Sequence, residues 1–167
     1  MGIGIDYLLA IAAARKTIDI AQAYFVPDDL AIMMLMEART RGVRIRVIVP
    51  AINDSRIGRA ASRSRWGRLL AADVEFFLYQ PAMYHPKTMI VDGVLVVIGS
   101  ANFDNRSFSI NDEVTLSILD RAVAADNLRT FADDMAKSKR LTREEFEARP
   151  VYIRMADHIS GLLRSQL

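Results

Sequence analysis

Residues 84–102 read YHPKTMIVDGVLVVIGSAN, in which two mostly β-branched apolar runs flank the dipeptide Asp92-Gly93. An Asp-Gly pair between such runs is the strongest short-range signal for a β-hairpin. We therefore predict two antiparallel strands over 88–91 and 94–98. The residues that follow, 100–111, are polar, and we predict a loop there.

Outward from this hairpin, strand and helix patterns alternate. Apolar residues recur at helical spacing in 6–16, 121–138 and the tail 151–167, and β-type runs occupy 18–25, 43–49, 74–79 and 113–119. We also predict a helix capped by Asp28 or Asp29 that continues to about residue 40, a helix up to residue 72, and a short capped helix over 142–147. This alternation, with a hairpin inside it, predicts an α/β fold with a mixed sheet.

The composition is that of one globular domain over 1–167 and excludes several kinds of site. The chain has no cysteine and two histidines, which argues against disulfides, thiol nucleophiles, cysteine metal sites and histidine-rich metal centres. This composition fits a reducing cytoplasm. No apolar run reaches the ~18 residues of a membrane-spanning helix, and the start lacks a signal-peptide pattern, so any membrane association is expected to be peripheral.

Basic residues concentrate in one segment, although the net charge is only +2. Five arginines occur without an acidic residue between them, at positions 56, 59, 63, 65 and 68. Two interpretations stay open: a solvated helix face, or a rim that attracts anions, because arginine binds phosphate bidentately.

The segment 85–92 has the form H-x-K-x4-D and suits phosphodiester chemistry. In a strand, residues two apart share a face, so His85 and Lys87 are expected to lie side by side. A neutral imidazole can attack phosphorus, while an ammonium neutralises charge on the non-bridging oxygens. We therefore predict a catalytic role for His85 and Lys87.

Polar residues downstream extend this candidate site. Ser100 and Asn102, again two apart, offer neutral donors for phosphate oxygens, after a Gly99 that permits a tight turn or close backbone approach. Glu113 could accept a hydrogen bond from the far ring nitrogen of His85. Each residue taken alone has an ordinary structural explanation, and Asp92 could be nothing more than a hairpin turn; their conjunction within 85–113 favours a catalytic site.

At this point the chain resembles the phospholipase D superfamily and its HKD motif, most closely the second half of bacterial cardiolipin synthases. The resemblance rests on H-x-K-x4-D, on GSANFDNRS at 99–107, and on YFVPD at 24–28, RGV at 41–43 and LTREEF at 141–146. These marks cover nearly the whole chain. The resemblance implies a phospholipase D-like domain over 1–167, in which a mixed sheet is flanked by helices on both faces.

The resemblance also implies roles for single residues. His85 would be the phosphohistidine nucleophile or its acid/base counterpart, Lys87, Ser100 and Asn102 would bind phosphate, and Glu113 would orient His85. Asp92 belongs to the same catalytic motif, but as a structural support that does not touch the substrate. No metal and no organic cofactor are implied.

The family's mechanism needs two histidines on opposite sides of the phosphorus, and this chain has one HKD motif. His158 has no lysine two residues on and lies in the amphipathic tail 151–167, so we do not expect it to supply the second. The partner is then a second HKD half in the same native chain, or a homodimer partner. Because the likeness is to a second half, a fragment or partner-dependent half is favoured.

The likeness implies phosphatidyl transfer, with phosphatidylglycerol as donor and as acceptor, at the cytoplasmic side of a bacterial membrane. The tail helix, with Arg154 and Arg164, could lie on an anionic membrane surface or pack on its own domain. Two alternatives are a hydrolytic phospholipase D or nuclease, and a silent phosphate-binding or assembly half. Proteins that bind single-stranded nucleic acid stack bases on aromatic residues placed among basic ones. Here Trp66 is the one aromatic residue among the arginines, which argues against nucleic acid as the substrate.

Overall fold

The computed structural model describes residues 3–52, 56–104, 107–108 and 112–162, and the elements below lie within those ranges. In chain order they are α1 (Ile3–Ala13), β1 (Thr17–Gln22), α2 (Asp29–Thr40), β2 (Arg44–Pro50), α3 (Arg56–Ala71), β3 (Glu75–Tyr79), β4 (Lys87–Val91), β5 (Leu95–Gly99), β6 (Thr115–Leu119), α4 (Arg121–Ala136), β7 (Ser138–Leu141), α5 (Arg143–Glu147) and α6 (Val151–Leu162). The sequence predicted each of these elements except β7, with boundaries that differ by a few residues.

The strands form one seven-stranded mixed sheet in the order β6-β5-β4-β1-β2-β3-β7. The strands β1, β2 and β3 are parallel, and β4, β5, β6 and β7 each run antiparallel to the neighbour that they pair with. Consequently β1, β2, β3 and β5 end, and β4, β6 and β7 begin, at the same edge of the sheet. We call this the carboxyl edge.

The predicted hairpin is present. Met89 pairs with Val97 and Val91 with Leu95, and the connection is closed by a hydrogen bond from the Val94 N–H to the Val91 carbonyl at 3.0 Å. Both Asp92 (φ 52°) and Gly93 (φ 64°) have positive φ. Positive φ at both central residues is the requirement of the tight hairpin turn that Asp-Gly favours.

Helices cover both faces of the sheet, as predicted. Alternate residues of β1 show the two sides: Ile18 and Ile20 lie in the core beneath α1, α2 and α3, whereas Ala21 lies in a second cluster against α4. The first cluster includes Tyr7, Ile11, Leu35 and Leu69, and the second includes Ala124 and Phe131. Alternation on β1 therefore buries both faces of the central sheet.

The face under α4 also holds a buried ion pair. Arg46 Nε donates to the Asp19 carboxylate at 2.5 Å, and its guanidinium lies 5.2 Å from the centre of the Phe131 ring. Burial raises the pKa of the Asp19 carboxyl, and the hydrogen bond and charge of Arg46 oppose that shift. The pair lies within the sheet, away from the carboxyl edge, and we assign it a structural role.

Residues 107 and 108, inside the predicted loop 100–111, are helical. The end of the predicted helix 121–138 is also wrong. The helical pattern was extended to residue 138, but α4 ends at Ala136, and Ser138–Leu141 forms β7 against β3. Residues 138–141 read SKRL, without the apolar alternation of a half-buried strand. The strand forms because β3 offers a free edge; Tyr79 pairs with Ser138 and Phe76 with Leu141.

The predicted helix caps are confirmed. Asp28, and not Asp29, caps α2: its carboxylate accepts the Ala31 N–H at 2.7 Å. Thr142 and Glu145 form a reciprocal capping box at the start of α5.

Candidate active site

His85 lies at the carboxyl edge, two residues before Lys87 opens β4. The residues before and after it, Tyr84 and Pro86, are both fixed by hydrogen bonds. The Tyr84 hydroxyl donates to the Asp134 carboxylate on α4 at 2.9 Å, and the Pro86 carbonyl accepts the Ala23 N–H at 3.0 Å. His85 itself is exposed. A solvent-accessible imidazole is thus carried on a backbone that is fixed on both sides.

Lys87 contacts the histidine ring directly, as the two-residue spacing predicted. Its ammonium nitrogen lies 3.2 Å from Nδ1 and 3.5 Å from Nε2 of His85. Burial lowers the pKa of the Lys87 ammonium, and the charges of Glu113 and Asp104 oppose the shift. The structure therefore places one cation and one imidazole together, with two carboxylates close enough to affect the cation.

Ser100 and Glu113 are joined across the carboxyl edge, at the end of β5 and just before β6. The Ser100 hydroxyl donates to the Glu113 carboxylate and accepts the Val114 N–H at 3.0 Å, while the Ser100 N–H donates to the Val114 carbonyl at 2.9 Å. A Cβ on Gly99 would lie 2.1 Å from the Val114 carbonyl oxygen. The close approach predicted for Gly99 is confirmed, because no side chain fits there.

Asn102 lies on a loop that is tied to the chain after β1. The next residue, Phe103, bridges to Phe25, and the Phe103 carbonyl accepts the Val26 N–H at 2.9 Å. The Asn102 N–H donates to the Ser107 hydroxyl at 3.2 Å. Within the described ranges the buried side-chain oxygen of Asn102 has no hydrogen-bond partner.

Gln22 is a buried polar residue at the same edge that was not among the predicted site residues. This residue ends β1, pairs with Lys87 in the ladder between β1 and β4, and is fully buried. Neither its amide nitrogen nor its amide oxygen has a partner among the described residues. Tyr7 is its neighbour: burial raises the pKa of the Tyr7 hydroxyl to about 12, and the Gln22 side chain opposes the shift. An amide at the end of an apolar strand was the available signal.

Asp92 lies away from the other candidate residues. It follows β4, so it stands at the edge of the sheet opposite His85, separated by the five residues of that strand, or roughly 16 Å at the usual rise. Its carboxylate accepts backbone N–H groups of the segment between α1 and β1. This position fits a support of the motif and not a group that meets substrate.

At three of its positions the arginine-rich segment is paired within the protein and is not a free anion-attracting rim. Arg63 pairs with Asp157 at 2.7 Å, Arg65 donates to the Pro27 carbonyl at 2.9 Å and to Asp29 at 2.8 Å, and Arg68 donates to the same Asp29 carboxylate at 3.2 Å. Trp66 is buried and stacks on Phe76 at 5.1 Å, so it offers no exposed surface for a base. The side chains of Arg56 and His158, and residue Arg164, lie outside the described part.

Two further properties concern the whole described part of the chain. No three His, Asp or Glu side chains in it are grouped so that they could hold a metal ion. None of its helices has both the length and the apolar character that crossing a bilayer requires. The expectation that no cofactor is needed stays a prediction.

Known sequences resemble this chain along most of its length. A family model described as the phospholipase D-like domain of cardiolipin synthase matches residues 7–135. The probable cardiolipin synthase YwiE of Bacillus subtilis is 39% identical over 165 residues, which cover 96% of this chain and 32% of that protein. Cardiolipin synthase A of Proteus mirabilis is 38% identical over 91% of this chain and 31% of its own length. The chain thus spans about a third of these relatives.

Two solved structures share the fold. Nuc of Salmonella typhimurium, a phospholipase D family member, superposes with a TM-score of 0.74 and 23% identity, over 83% of this chain and 90% of Nuc. The phosphatidylserine synthase of Haemophilus influenzae gives a TM-score of 0.75 with 16% identity, over 96% of this chain and 44% of that one. At these identities the likeness concerns the fold.

Proposed function

The chain belongs to the family of phospholipase D-like domains of cardiolipin synthases, and from that premise we propose that it is one catalytic half of a phosphatidyltransferase. The proposed donor and acceptor are two molecules of phosphatidylglycerol, and the products are cardiolipin and glycerol. The observation that carries the proposal is the contact of the Lys87 ammonium with the His85 ring at 3.2 Å, on the same edge as Ser100, Asn102 and Glu113.

In the first step, a ring nitrogen of His85 attacks the phosphorus of the donor lipid. A nitrogen–phosphorus bond forms, the bond to the glycerol oxygen breaks, and that oxygen must receive a proton. Lys87 lies beside the ring and would neutralise the non-bridging oxygens, on which charge accumulates. The Asn102 amide would add neutral hydrogen-bond donors to the same oxygens, and Ser100 would do so when its hydroxyl turns from Glu113 to the substrate.

In the second step, the terminal hydroxyl of another phosphatidylglycerol attacks the phosphohistidine. A base removes the hydroxyl proton, a new oxygen–phosphorus bond forms, and the nitrogen–phosphorus bond breaks to release His85. We propose that Glu113 stabilises the charged ring during this cycle, as the third member of a triad does. Water in place of the lipid hydroxyl would give phosphatidic acid instead, so transfer requires that water be excluded.

The proton donor of the first step must come from a second half. In-line displacement needs that group on the far side of the phosphorus from His85, and the sequence holds one H-x-K-x4-D motif. Two arrangements supply it: a further half in the same native chain, or a second copy. The fold matches are compatible with both, since Nuc is about the size of one such unit and the synthase chain is about twice that size.

The test is a lipid assay on the active assembly with labelled phosphatidylglycerol. We expect labelled cardiolipin with release of glycerol, and an acid-labile phosphate adduct on His85 after rapid quenching. His85→Ala should abolish both, whereas His158→Ala, which removes the other histidine, should retain turnover. Phosphatidic acid as the sole product would refute transfer, and cleavage of single-stranded DNA without turnover of lipid would refute the substrate class.

The proposed substrate also brings the protein to a lipid surface, and its location on the cytoplasmic side stays a prediction.

A further inference from the structure

The C-terminal helix α6 has an inward side that is anchored by charge. Asp157, whose side chain is 3% exposed, accepts hydrogen bonds from Arg63 of α3 at 2.7 Å and from Arg149 at 2.5 Å. The Arg149 guanidinium also covers the ring of Phe146, 3.5 Å from its centre. The helix is therefore held against the domain through one buried carboxylate between two cations.

The outward side of α6 is apolar and exposed. Val151, Tyr152, Met155 and Ile159 are 68%, 72%, 59% and 56% exposed. At about 100° per residue these four side chains span about 100°, and the centre of that arc points away from Asp157 by about 170°. We call these four residues the outward face. The anchoring residue Asp157 and the exposed outward face therefore lie on opposite sides of α6.

The direction of α6 brings one end of the outward face towards the active-site edge. Phe146, before α6, packs on Gly67 in the second half of α3, whereas Asp157 pairs with Arg63, one turn closer to the start of α3. The helix α6 therefore runs antiparallel to α3. Its last turns approach the start of α3, which follows the carboxyl end of β2. In that connection Ile52 is a further exposed apolar residue, at 61%.

The two helices that pack together on this side of the protein, α3 and α6, carry net positive charge. The helix α3 contains no acidic residue, and each acidic partner in this region is shared by two arginines: Asp157 by Arg63 and Arg149, and Asp29 by Arg65 and Arg68. Arg154 is exposed on α6 itself. The five arginines of α3 have no acidic residue on their own helix, and on α6 Arg154 balances Asp157, so α3 and α6 together carry an excess of positive charge.

We propose that the outward face of α6 docks the protein on an anionic phospholipid bilayer, with the Ile159 end of that face nearest the carboxyl edge of the sheet. A helix with an apolar side and flanking arginines lies in the plane of the interface, where apolar burial and attraction to anionic lipid act together. Tyr152 suits this depth, because its ring is apolar and its hydroxyl polar. The choice of lipid over a protein partner rests on the proposed function.

The experiment measures co-flotation of the 167-residue chain with vesicles of phosphatidylcholine alone or mixed with phosphatidylglycerol. We expect binding to the mixed vesicles that weakens with salt. Met155→Glu with Ile159→Glu should reduce it about tenfold or more, since each carboxylate removes apolar area and repels anionic lipid. Leu119→Glu is the matched control: Leu119 is 79% exposed on the edge strand β6, and this variant should bind as the wild type does.

Other results overturn the proposal. Equal binding to both vesicle types would refute the preference for anionic lipid, and equal loss in the Leu119 variant would show that the outward face is not the lipid-binding surface. Loss of self-association or of binding to a second catalytic half in the α6 variant, seen by sedimentation velocity with vesicle binding unchanged, would assign the face to a protein partner.

The experiments distinguish a failure of the docking proposal from a failure of the proposed function. If the α6 variant turns over dispersed short-chain phosphatidylglycerol normally but no longer binds vesicles, both proposals are supported. If vesicle binding by the outward face is retained but no assembly of the protein turns over any phosphatidylglycerol, the proposed function fails and the docking surface remains.

Discussion

The carboxylate of Asp92 accepts the backbone N–H of Lys16 at 2.7 Å, although the two residues are 76 positions apart. The same carboxylate accepts the N–H groups of Arg15 at 2.9 Å and Thr17 at 2.8 Å, and the Asp92 N–H returns a bond to the Thr17 carbonyl. The last residue of the H-x-K-x4-D motif therefore fastens the hairpin to the segment that starts β1. Since β1 pairs with β4, this contact helps to fix the strand that Lys87 opens.

Replacing Asp92 should destabilise the fold and change its acid stability. Burial raises the pKa of the Asp92 carboxyl, but the backbone N–H groups of Thr17, Arg15 and Lys16 together outweigh it and hold the pKa below its usual value. A depressed pKa contributes stability above the unfolded value of about 3.9, and this stability is lost as the pH falls through the folded pKa. We expect Asp92→Ala to lower the free energy of unfolding by about 2 kcal/mol near neutral pH.

Denaturant melts at several pH values test this. Asp92→Asn keeps an acceptor oxygen and tolerates positive φ, so it should lose less than the alanine variant does. Both variants should differ less from the wild type as the pH falls through the acid range. An unchanged midpoint for Asp92→Ala would show that these three hydrogen bonds contribute nothing.

Phosphate binding should weaken in the alkaline range because of Lys87. The ammonium is charged below its pKa, and burial lowers that pKa despite the opposing charges of Glu113 and Asp104. Affinity for inorganic phosphate should therefore be full at neutral pH and fall as the pH rises through a value below the ordinary lysine pKa of about 10.4. Titrations followed by the His85 ring signals in NMR give the affinity at each pH.

Lys87→Arg is the informative variant for the alkaline loss. A guanidinium stays charged throughout this range, so the loss should disappear, although the planar group should bind more weakly at neutral pH. Lys87→Met should bind poorly at every pH. If the alkaline loss persists in the arginine variant, another group is responsible for it.

The pair formed by Ser100 and Glu113 should matter for turnover more than for stability. The hydroxyl donates to the carboxylate at the exposed carboxyl edge. Glu113→Gln keeps the shape but removes the charge that would stabilise an imidazolium, and we expect kcat to fall by about 100-fold or more. The melting temperature should change little, and Glu147→Gln, on the exposed surface of α5, is a control for removal of a carboxylate. Retained kcat in Glu113→Gln would remove Glu113 from the proposed mechanism.

How much the sequence could predict differs between local and tertiary features. The hairpin at Asp92-Gly93, the capping by Asp28 and the close approach at Gly99 each rest on one or two residues whose backbone demands are fixed. The contact of His85 with Lys87 follows from a spacing of two. These features were predictable because the signal and the structure lie in the same few residues.

Other features depend on partners that are distant in the sequence. The strand β7 reads SKRL and owes its conformation to pairing with β3. Arg63 looked like part of a solvated or anion-binding face, but its partner is Asp157, 94 residues away. Local propensity contains no information about such pairings. The prediction for residues 138–141 was therefore wrong, and two interpretations of Arg63 stayed open.

We expect Gln22 to lower the free energy of unfolding and to strengthen phosphate binding. Its buried amide lies opposite Lys87 in the ladder and beside the Tyr7 hydroxyl, whose pKa it affects, but neither amide atom completes a hydrogen bond among the described residues, and such a group opposes folding. We expect Gln22→Met, similar in volume, to raise the free energy of unfolding by about 1 kcal/mol and to weaken phosphate binding. Gln80→Met, at an exposed position, should change neither. A variant that is more stable and binds phosphate normally would leave Gln22 without a role at the site.

Asp157 should be the most sensitive single position for the attachment of α6. Its carboxylate is buried between Arg63 and Arg149, and burial lowers the pKa of Arg149 while Asp157 opposes that shift. Removing the anion leaves two partly buried cations facing each other, and breaking such a buried arrangement costs about 3–5 kcal/mol. We expect Asp157→Ala to accelerate amide hydrogen exchange throughout α6 while α4 stays protected.

Asp126→Ala breaks an exposed pair with Arg129 and should have an effect below about 1 kcal/mol. Adding Arg63→Met and Arg149→Met to Asp157→Ala should restore part of the lost protection, because the uncompensated charges are then gone. If the triple variant is as poorly protected as the single one, packing and not charge holds α6 on α3.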